Sequence, residues 1–329
     1  MNKSINQLLN SAVTYAGLYP PASLKLNEAL RNYVDFSHSK YAWMLANFIL
    51  PHHELPFLSS FADRKHRLKG PLSLCITGPE TNTLFEFKNV INNIEQQIMA
   101  AHTGYPGEVR TNLLELKLPL SSIETLNPEE LIKALEAVVS TTAESRLLPH
   151  RVFFEVPGNE YDAELTKKVI KVIAVHNKSI LKRKVNNYLF SGIKINCSTK
   201  KGGKIPSASY LAEVILYARD ANVAVKFSGS ENTPYPSYNY SLGAKMHGFI
   251  NIFAASILAY TQDLTVDETI EVIEEKRPDN FTFKDEYFAW RELAAPTIEI
   301  KMLRMLSITT FNFTSFTTPI DGLKELGYL

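Results

Sequence analysis

A chain of 329 residues with 45% hydrophobic and 21% charged side chains can bury a large core, which excludes a disordered tail or linker protein. A net charge of +1 supplies no bulk field for nucleic acid or an anionic membrane surface. Cys75 and Cys197 are the only two cysteines, which excludes a disulfide framework and fits a reducing compartment.

The first residues, Met1-Asn2-Lys3-Ser4-Ile5-Asn6-Gln7, lack the apolar core of a signal peptide. The longest apolar run, residues 249–260, is broken by Asn251 and Ser256 and is too short to cross a bilayer. The expectation is a cytoplasmic protein that meets a small-molecule substrate, with no nucleic-acid or membrane partner.

In chain order, residues 4–12 read as a short amphipathic helix and 13–21 as a strand stopped by Pro20-Pro21. Residues 24–36 are helical by spacing, with Leu26, Ala29, Leu30 and Tyr33 on one face. A strand at 41–50 ends at Pro51, a helix follows at 55–67, and a third strand at 72–78. Phe87, Val90, Ile91, Ile94 and Ile98 keep helical phase through 85–101, and 109–119 is the fourth strand. Asn127-Pro128-Glu129-Glu130 opens the next helix with a cap, a first-turn proline and two acids that suit the helix dipole. Strand five at 151–157 and a helix at 162–176 precede strand six around Lys194, a helix at 207–221 and strand seven around Lys226.

The last third is less regular. Residues 230–246, with Tyr235, Tyr238 and Tyr240, read as a lid or binding loop. Residues 248–260 favour a helix by length, although the same run competes for the place of the eighth strand. A helix at 266–274 opened by Thr265, an inserted hairpin at 281–290 and a helix at 297–305 follow. The eighth strand is placed at 307–313 and a closing helix at 320–326.

Strands alternating with helices imply parallel pairing with right-handed crossovers. The predicted fold is α/β: a (β/α)8 TIM barrel formed by residues 1–329 as a single domain, with a short N-terminal helix and an insertion before the last strand. An open doubly wound sheet is the competitor. The missing Gly-x-Gly-x-x-Gly after the first strand counts against its dinucleotide-binding form.

Alternation along the strands singles out four charges. Glu115 lies between Leu114 and Leu116, Glu155 between Phe154 and Val156, Lys194 between Ile193 and Ile195, and Lys226 between Val225 and Phe227. With the apolar neighbours facing the helices, all four point into the barrel, near the strand ends where barrel active sites form. A lysine beside a second cation loses proton affinity, so Lys226 is expected to lower that of Lys194 and make it a nucleophile toward a carbonyl. Glu115 or Glu155 would move protons. Lys117, Asn196, Ser198, Ser228 and Gly229, close to these four, are the candidate ligand contacts. The competing reading is that the four charges form two internal ion pairs that fill the barrel.

These strands resemble the deoxyribose-phosphate aldolase group of class I aldolases over about residues 110–230. Glu115 and Pro119 match the spacing of that family's strand-four acid and proline, with Glu in place of Asp. Phe154-Glu155 resembles its strand-five ending, Lys194 its Schiff-base lysine, and Lys226-Phe227-Ser228-Gly229 its second lysine before a small residue and glycine. The resemblance implies a lyase with an imine on Lys194 and no cofactor. Ser230-Glu231-Asn232 departs from it, because an acid stands where the family cradles phosphate. Residues 197–204, with Lys200, Lys201, Gly202, Gly203 and Lys204, are a candidate anion-binding loop. The chain as a whole resembles uncharacterised bacterial barrel proteins through residues 16–21, 42–45 and 192–195. His52-His53 has no partner at ligand spacing, and no metal is expected.

Overall fold

The computed structural model describes residues 1–61, 68, 70–125, 127–143, 151–157, 161–183, 190–198, 204–229, 233–240 and 243–329. Strands β1 (Val13–Tyr15), β2 (Leu45–Pro51), β3 (Leu72–Thr77), β4 (Val109–Lys117), β5 (Arg151–Glu155), β6 (Phe190–Asn196) and β7 (Val225–Ser228) follow one another along the chain. Two small sheets come next, β8 (Ser237–Asn239) with β9 (Ala244–Met246), and β10 (Phe281–Phe283), β11 (Tyr287–Trp290) and β12 (Leu293–Pro296). The last strand is β13 (Ile308–Phe313).

Eight of these strands close a barrel in the order β1-β13-β7-β6-β5-β4-β3-β2, and every neighbouring pair is parallel. The fold is a TIM barrel with the short N-terminal helix α1 (Lys3–Leu9) and an insertion before the last strand. The crossover helices are α2 (Leu26–His38), α3 (Leu84–Gly104), α4 (Leu120–Glu124) with α5 (Pro128–Ala143), α6 (Ala163–Arg183) and α7 (Ala208–Asp220). Helices α8 (Phe249–Thr261), α9 (Val266–Glu274) and α10 (Thr297–Leu306) lie before β13, and α11 (Thr317–Glu325) follows it.

Local sequence sets the helix starts. Thr83 and Glu86 form a capping box on α3, and Thr265 and Glu268 form another on α9. Asn127 Oδ1 accepts from the Glu129 and Glu130 backbone N–H groups at the start of α5. Ser207 caps α7 by accepting from the Tyr210 N–H.

Strand alternation splits the apolar residues into two cores. Phe48, Leu74, Ile76, Leu114, Phe154, Ile193 and Phe227 face the helix layer in one continuous cluster. Ala16, Ile49, Cys75, Leu113 and Phe153 form a separate cluster in the lumen. Phe153 fits there because Gly192 lacks a side chain: a Cβ at that position would lie 2.5 Å from the Phe153 ring. The lumen is therefore plugged below the charged residues, as a packed barrel requires.

The helix favoured by length at 248–260 is α8, Phe249–Thr261, apolar all round and buried between α7, α9 and β13, and the eighth strand is β13, where the sequence placed it. Several other elements differ from the expectation. The stretch before β2 begins as a tight 3-10 turn, Ala42–Met44, and β2 includes Pro51. His52–Phe61 is also 3-10 rather than α-helical, with Pro56 inside it withholding a backbone donor. The rest of the expected helix at 55–67, residues 62–67, lies outside the described residues. The hairpin at 281–290 gains a third strand, β12. The loop at 230–246 carries the β8–β9 ribbon, with 230–232 and 241–242 outside the described residues. Among the described residues no helix is long and apolar enough to cross a membrane.

The chain ends are stitched together. β1 pairs with both β2 and β13, and α1 packs on α10. The buried Arg304 guanidinium, on α10, donates to the carbonyl oxygens of Leu8, Asn10 and Ile308.

Candidate active site

Glu115, Glu155, Lys194 and Lys226 come from four adjacent strands, and their aliphatic or aromatic neighbours sit in the outer core. The register sets Glu155 beside Lys194 and Lys194 beside Lys226. The side chains form one continuous chain of alternating charge rather than two separate pairs. Lys194 Nζ lies 3.0 Å from Glu155 Oε2 and 2.8 Å from Glu115 Oε2. Glu115 Oε1 lies 3.4 Å from Lys226 Nζ.

The surrounding strands complete the coordination of these groups. Lys226 Nζ donates to the Thr310 hydroxyl and, at 3.2 Å, to Thr14 Oγ1. The two threonines bond each other at 3.0 Å. Asn312 Nδ2 lies 3.0 Å from each Glu115 oxygen, and the Cys75 thiol donates to Glu115 Oε1 at 3.2 Å. Glu115 is thus a buried carboxylate with donors on every side, the condition under which burial of a charge is tolerated.

The electrostatics reverse one expectation. Burial alone would raise the Glu115 pKa, but Lys194, Lys226 and the Asn312 amide overcome it and hold the carboxyl near 2. Burial would strip Lys194 of its proton, yet the Glu115 and Glu155 carboxylates outweigh burial and push its pKa above the ordinary lysine value. Lys226 is the lysine with lowered proton affinity, through burial first and only partly offset by Glu115. The idea that Lys226 depresses Lys194 fails because Glu115 stands between them and neutralises the repulsion. Cys75, buried beside Glu115, has its thiol pKa raised well above the usual value.

A cavity of about 1020 Å³ opens at the C-terminal ends of the strands. Of the residues singled out from sequence, Glu115, Lys117, Glu155, Lys194, Asn196, Ser198, Ser228 and Gly229 line it. Lys226 does not: it is fully buried beneath them. Lys117 is paired with Glu80 at 3.0 Å on the rim. Asn196 Oδ1 accepts from the Ser198 N–H at 3.0 Å and its hydroxyl at 3.1 Å. Gly229 has φ +78°, and a Cβ there would lie 2.4 Å from Ser198 Oγ, so only glycine fits this close approach. Lys200, Lys201, Gly202, Gly203, Ser230, Glu231 and Asn232 lie outside the described residues. A smaller hollow of about 480 Å³ at the other end of the barrel, lined by Asn47, Arg151 and Thr310, holds none of the candidate residues.

Sequence reasoning missed Tyr19, Asn312 and the Thr14–Thr310 pair. Tyr19 follows β1 and reaches over the lumen, with its hydroxyl 2.5 Å from Thr77 Oγ1; burial raises its pKa to about 12. Thr310 and Asn312 alternate with Phe311 and Phe313 on β13, so the parity that exposed the four charges would have revealed them too. Among the described residues no group of three His, Cys, Asp or Glu side chains is arranged to hold a metal ion. Compared with known proteins, the sequence matches no family model, and no curated protein matches it significantly.

Proposed function

We propose that this barrel is a class I aldolase-like lyase, forming a Schiff base between Lys194 and a small carbonyl compound. The observation that carries the reading is Lys194 Nζ on the wall of the large C-terminal cavity, within 3.0 Å of two carboxylates. We also take residues 1–329 to act as one domain.

The two glutamates then have different roles. Glu115, with a pKa near 2 and five donor contacts to Lys194, Lys226, Asn312 and Cys75, stays ionised and holds positive charge in place. Glu155 makes fewer contacts and borders the cavity, so it carries the proton. Lys194 passes a proton to Glu155 as its nitrogen adds to the substrate carbonyl, giving a carbinolamine. Glu155 returns the proton to the carbinolamine hydroxyl, which leaves as water, and the iminium forms. Loss of a β-hydroxyl proton to Glu155 breaks the carbon–carbon bond, and its electron pair moves into the enamine. Glu155 then protonates the enamine carbon, and water releases the product and the free lysine.

Borohydride reduction in the presence of candidate aldehydes and ketones tests this. The expected result is a stable mass increment on the peptide bearing Lys194, absent from Lys194→Met. No adduct across a broad panel, or an adduct on another lysine, would overturn it.

The raised proton affinity of Lys194 favours one second reading. As a permanent ammonium, Lys194 would polarise a substrate carbonyl while Glu155 moved a proton between adjacent carbons, which is isomerase or epimerase chemistry. That reading predicts deuterium uptake from solvent into the substrate with no trapped adduct. A non-catalytic barrel that binds a small anionic metabolite predicts a rise in Tm with neither signal.

A further inference from the structure

We propose that the compound taken by the Lys194 site is an uncharged, hydroxylated aldehyde or ketone, an unphosphorylated sugar or a close equivalent. The inference rests on the proposed function for the identity of the reacting carbonyl, and on the cavity wall for everything else.

The charges of the described wall are already matched. Lys117 is spent on Glu80, and Lys194 on Glu115 and Glu155, all within 3.0 Å. Two lysines thus face three carboxylates across the opening, and the fully buried Lys226 restores balance from below. An anionic ligand entering this space would meet no net positive potential from the described wall and would lose its hydration there without a counter-charge.

Two described backbone donors after Lys194 are occupied as well. The Cys197 N–H donates to the Ser228 carbonyl at 2.7 Å, and the Ser198 N–H to Asn196 Oδ1 at 3.0 Å. A phosphate held at this lip would have to break both bonds.

What the wall offers instead is acceptors: the Glu80 and Glu155 carboxylates on its face and, just beneath it, the Asn312 amide oxygen. Asn312 is 8% exposed and lines the cavity. Its amide nitrogen is fixed on Glu115, which turns Oδ1 away from that carboxylate, and Oδ1 has no hydrogen-bond partner among the described residues. A buried acceptor without a donor costs stability, and a ligand hydroxyl is the donor that removes the cost. Phosphate and carboxylate groups ionised at neutral pH bring chiefly acceptors and cannot do so. Tyr19, Ile49, Leu116 and Met246 give the cavity an apolar side, which suits the carbon skeleton of a neutral molecule.

The test uses the full chain with matched pairs: glyceraldehyde and ribose against glyceraldehyde 3-phosphate and ribose 5-phosphate, with pyruvate as a carboxylate. Tm is followed against concentration, and borohydride trapping is read in parallel. The uncharged members are expected to act at concentrations at least about tenfold lower than the charged ones. Glu80→Gln, which frees the exposed Lys117, should narrow that preference by about threefold or more. Charged members acting at equal or lower concentration, or no response to any member, would overturn the proposal. A preserved preference for uncharged compounds with no trapped adduct would leave the substrate class standing and overturn the Schiff base alone.

Discussion

Glu115 is held between Lys194 and Lys226, 2.8 Å from the first and 3.4 Å from the second. One carboxylate therefore keeps two ammonium groups on adjacent strands from repelling each other. Glu115→Gln should destabilise the barrel by about 3–5 kcal/mol, the cost of leaving buried charge uncompensated. Urea unfolding measures it. A loss below about 1 kcal/mol would show that the chain of charges is not a unit of the fold.

The same carboxylate sets an acid limit. Its folded pKa near 2 lies below the ordinary value of 4.5, so its contribution is complete above about 4.5 and is lost as pH falls toward 2. The full contribution is on the order of 3 kcal/mol. The stability gap between the wild type and Glu115→Gln should shrink across that window, as read by unfolding at successive pH values. A gap that stays constant from pH 7 to pH 3 would contradict the assigned role.

Lys226 differs from Lys194 because burial dominates over its single carboxylate contact. Lys226→Met keeps the volume and leaves Glu115 with Lys194 and Asn312. Its cost should be about 1–3 kcal/mol, less than that of Glu115→Gln. In Glu115→Gln/Lys226→Met the second change removes the stranded cation, so the double variant should be more stable than the two losses summed. Simple additivity in the double-mutant cycle would mean the pair is not coupled.

Asn312→Asp tests the donor between β13 and β4. A second carboxylate would lie against Glu115, and like charges at that range cannot both ionise without penalty. The new acid would keep its proton in the folded state above the pH where it loses it unfolded. The variant should therefore lose stability relative to the wild type as pH rises from about 4 to about 7. Melting curves at the two pH values suffice, and an equal deficit at both would count against the contact.

Gly229→Ala places a Cβ 2.4 Å from Ser198 Oγ and 2.7 Å from Asn196 Oδ1 at a positive φ. The expected loss is about 2 kcal/mol or more. The Asn196–Ser198 corner must also move, so ligand binding measured by Tm shift should weaken beyond what the stability loss alone explains.

Much of this was legible because strands carry their burial as a two-residue period. Leu114 and Leu116 around Glu115, or Ile193 and Ile195 around Lys194, reveal which way the charge points without any knowledge of the neighbouring strands. The pairing between charges was less accessible. Which lysine receives two carboxylates depends on the stagger between β4, β5, β6 and β7, and no local pattern states it. Tyr19 was hidden for a related reason: its place over the lumen depends on how the chain bends between β1 and α2. The 3-10 segment at His52–Phe61 was misread because its apolar spacing suits an α-helix while Pro56 removes a backbone donor.

Closure of the barrel by its last strand has a consequence for synthesis. Lys226 needs the hydroxyls of Thr14 and Thr310, and Thr310 is translated 84 residues after it. While that stretch is still inside or ahead of the ribosome, the ammonium has water in place of a hydroxyl, and the open edges of β1 and β7 stay unpaired. The nascent sheet is thereby kept wet and unsealed until β13 emerges. A chain released before β13 would carry a hydrated cation in its middle and two free edges, which are features that quality-control proteases and chaperones engage.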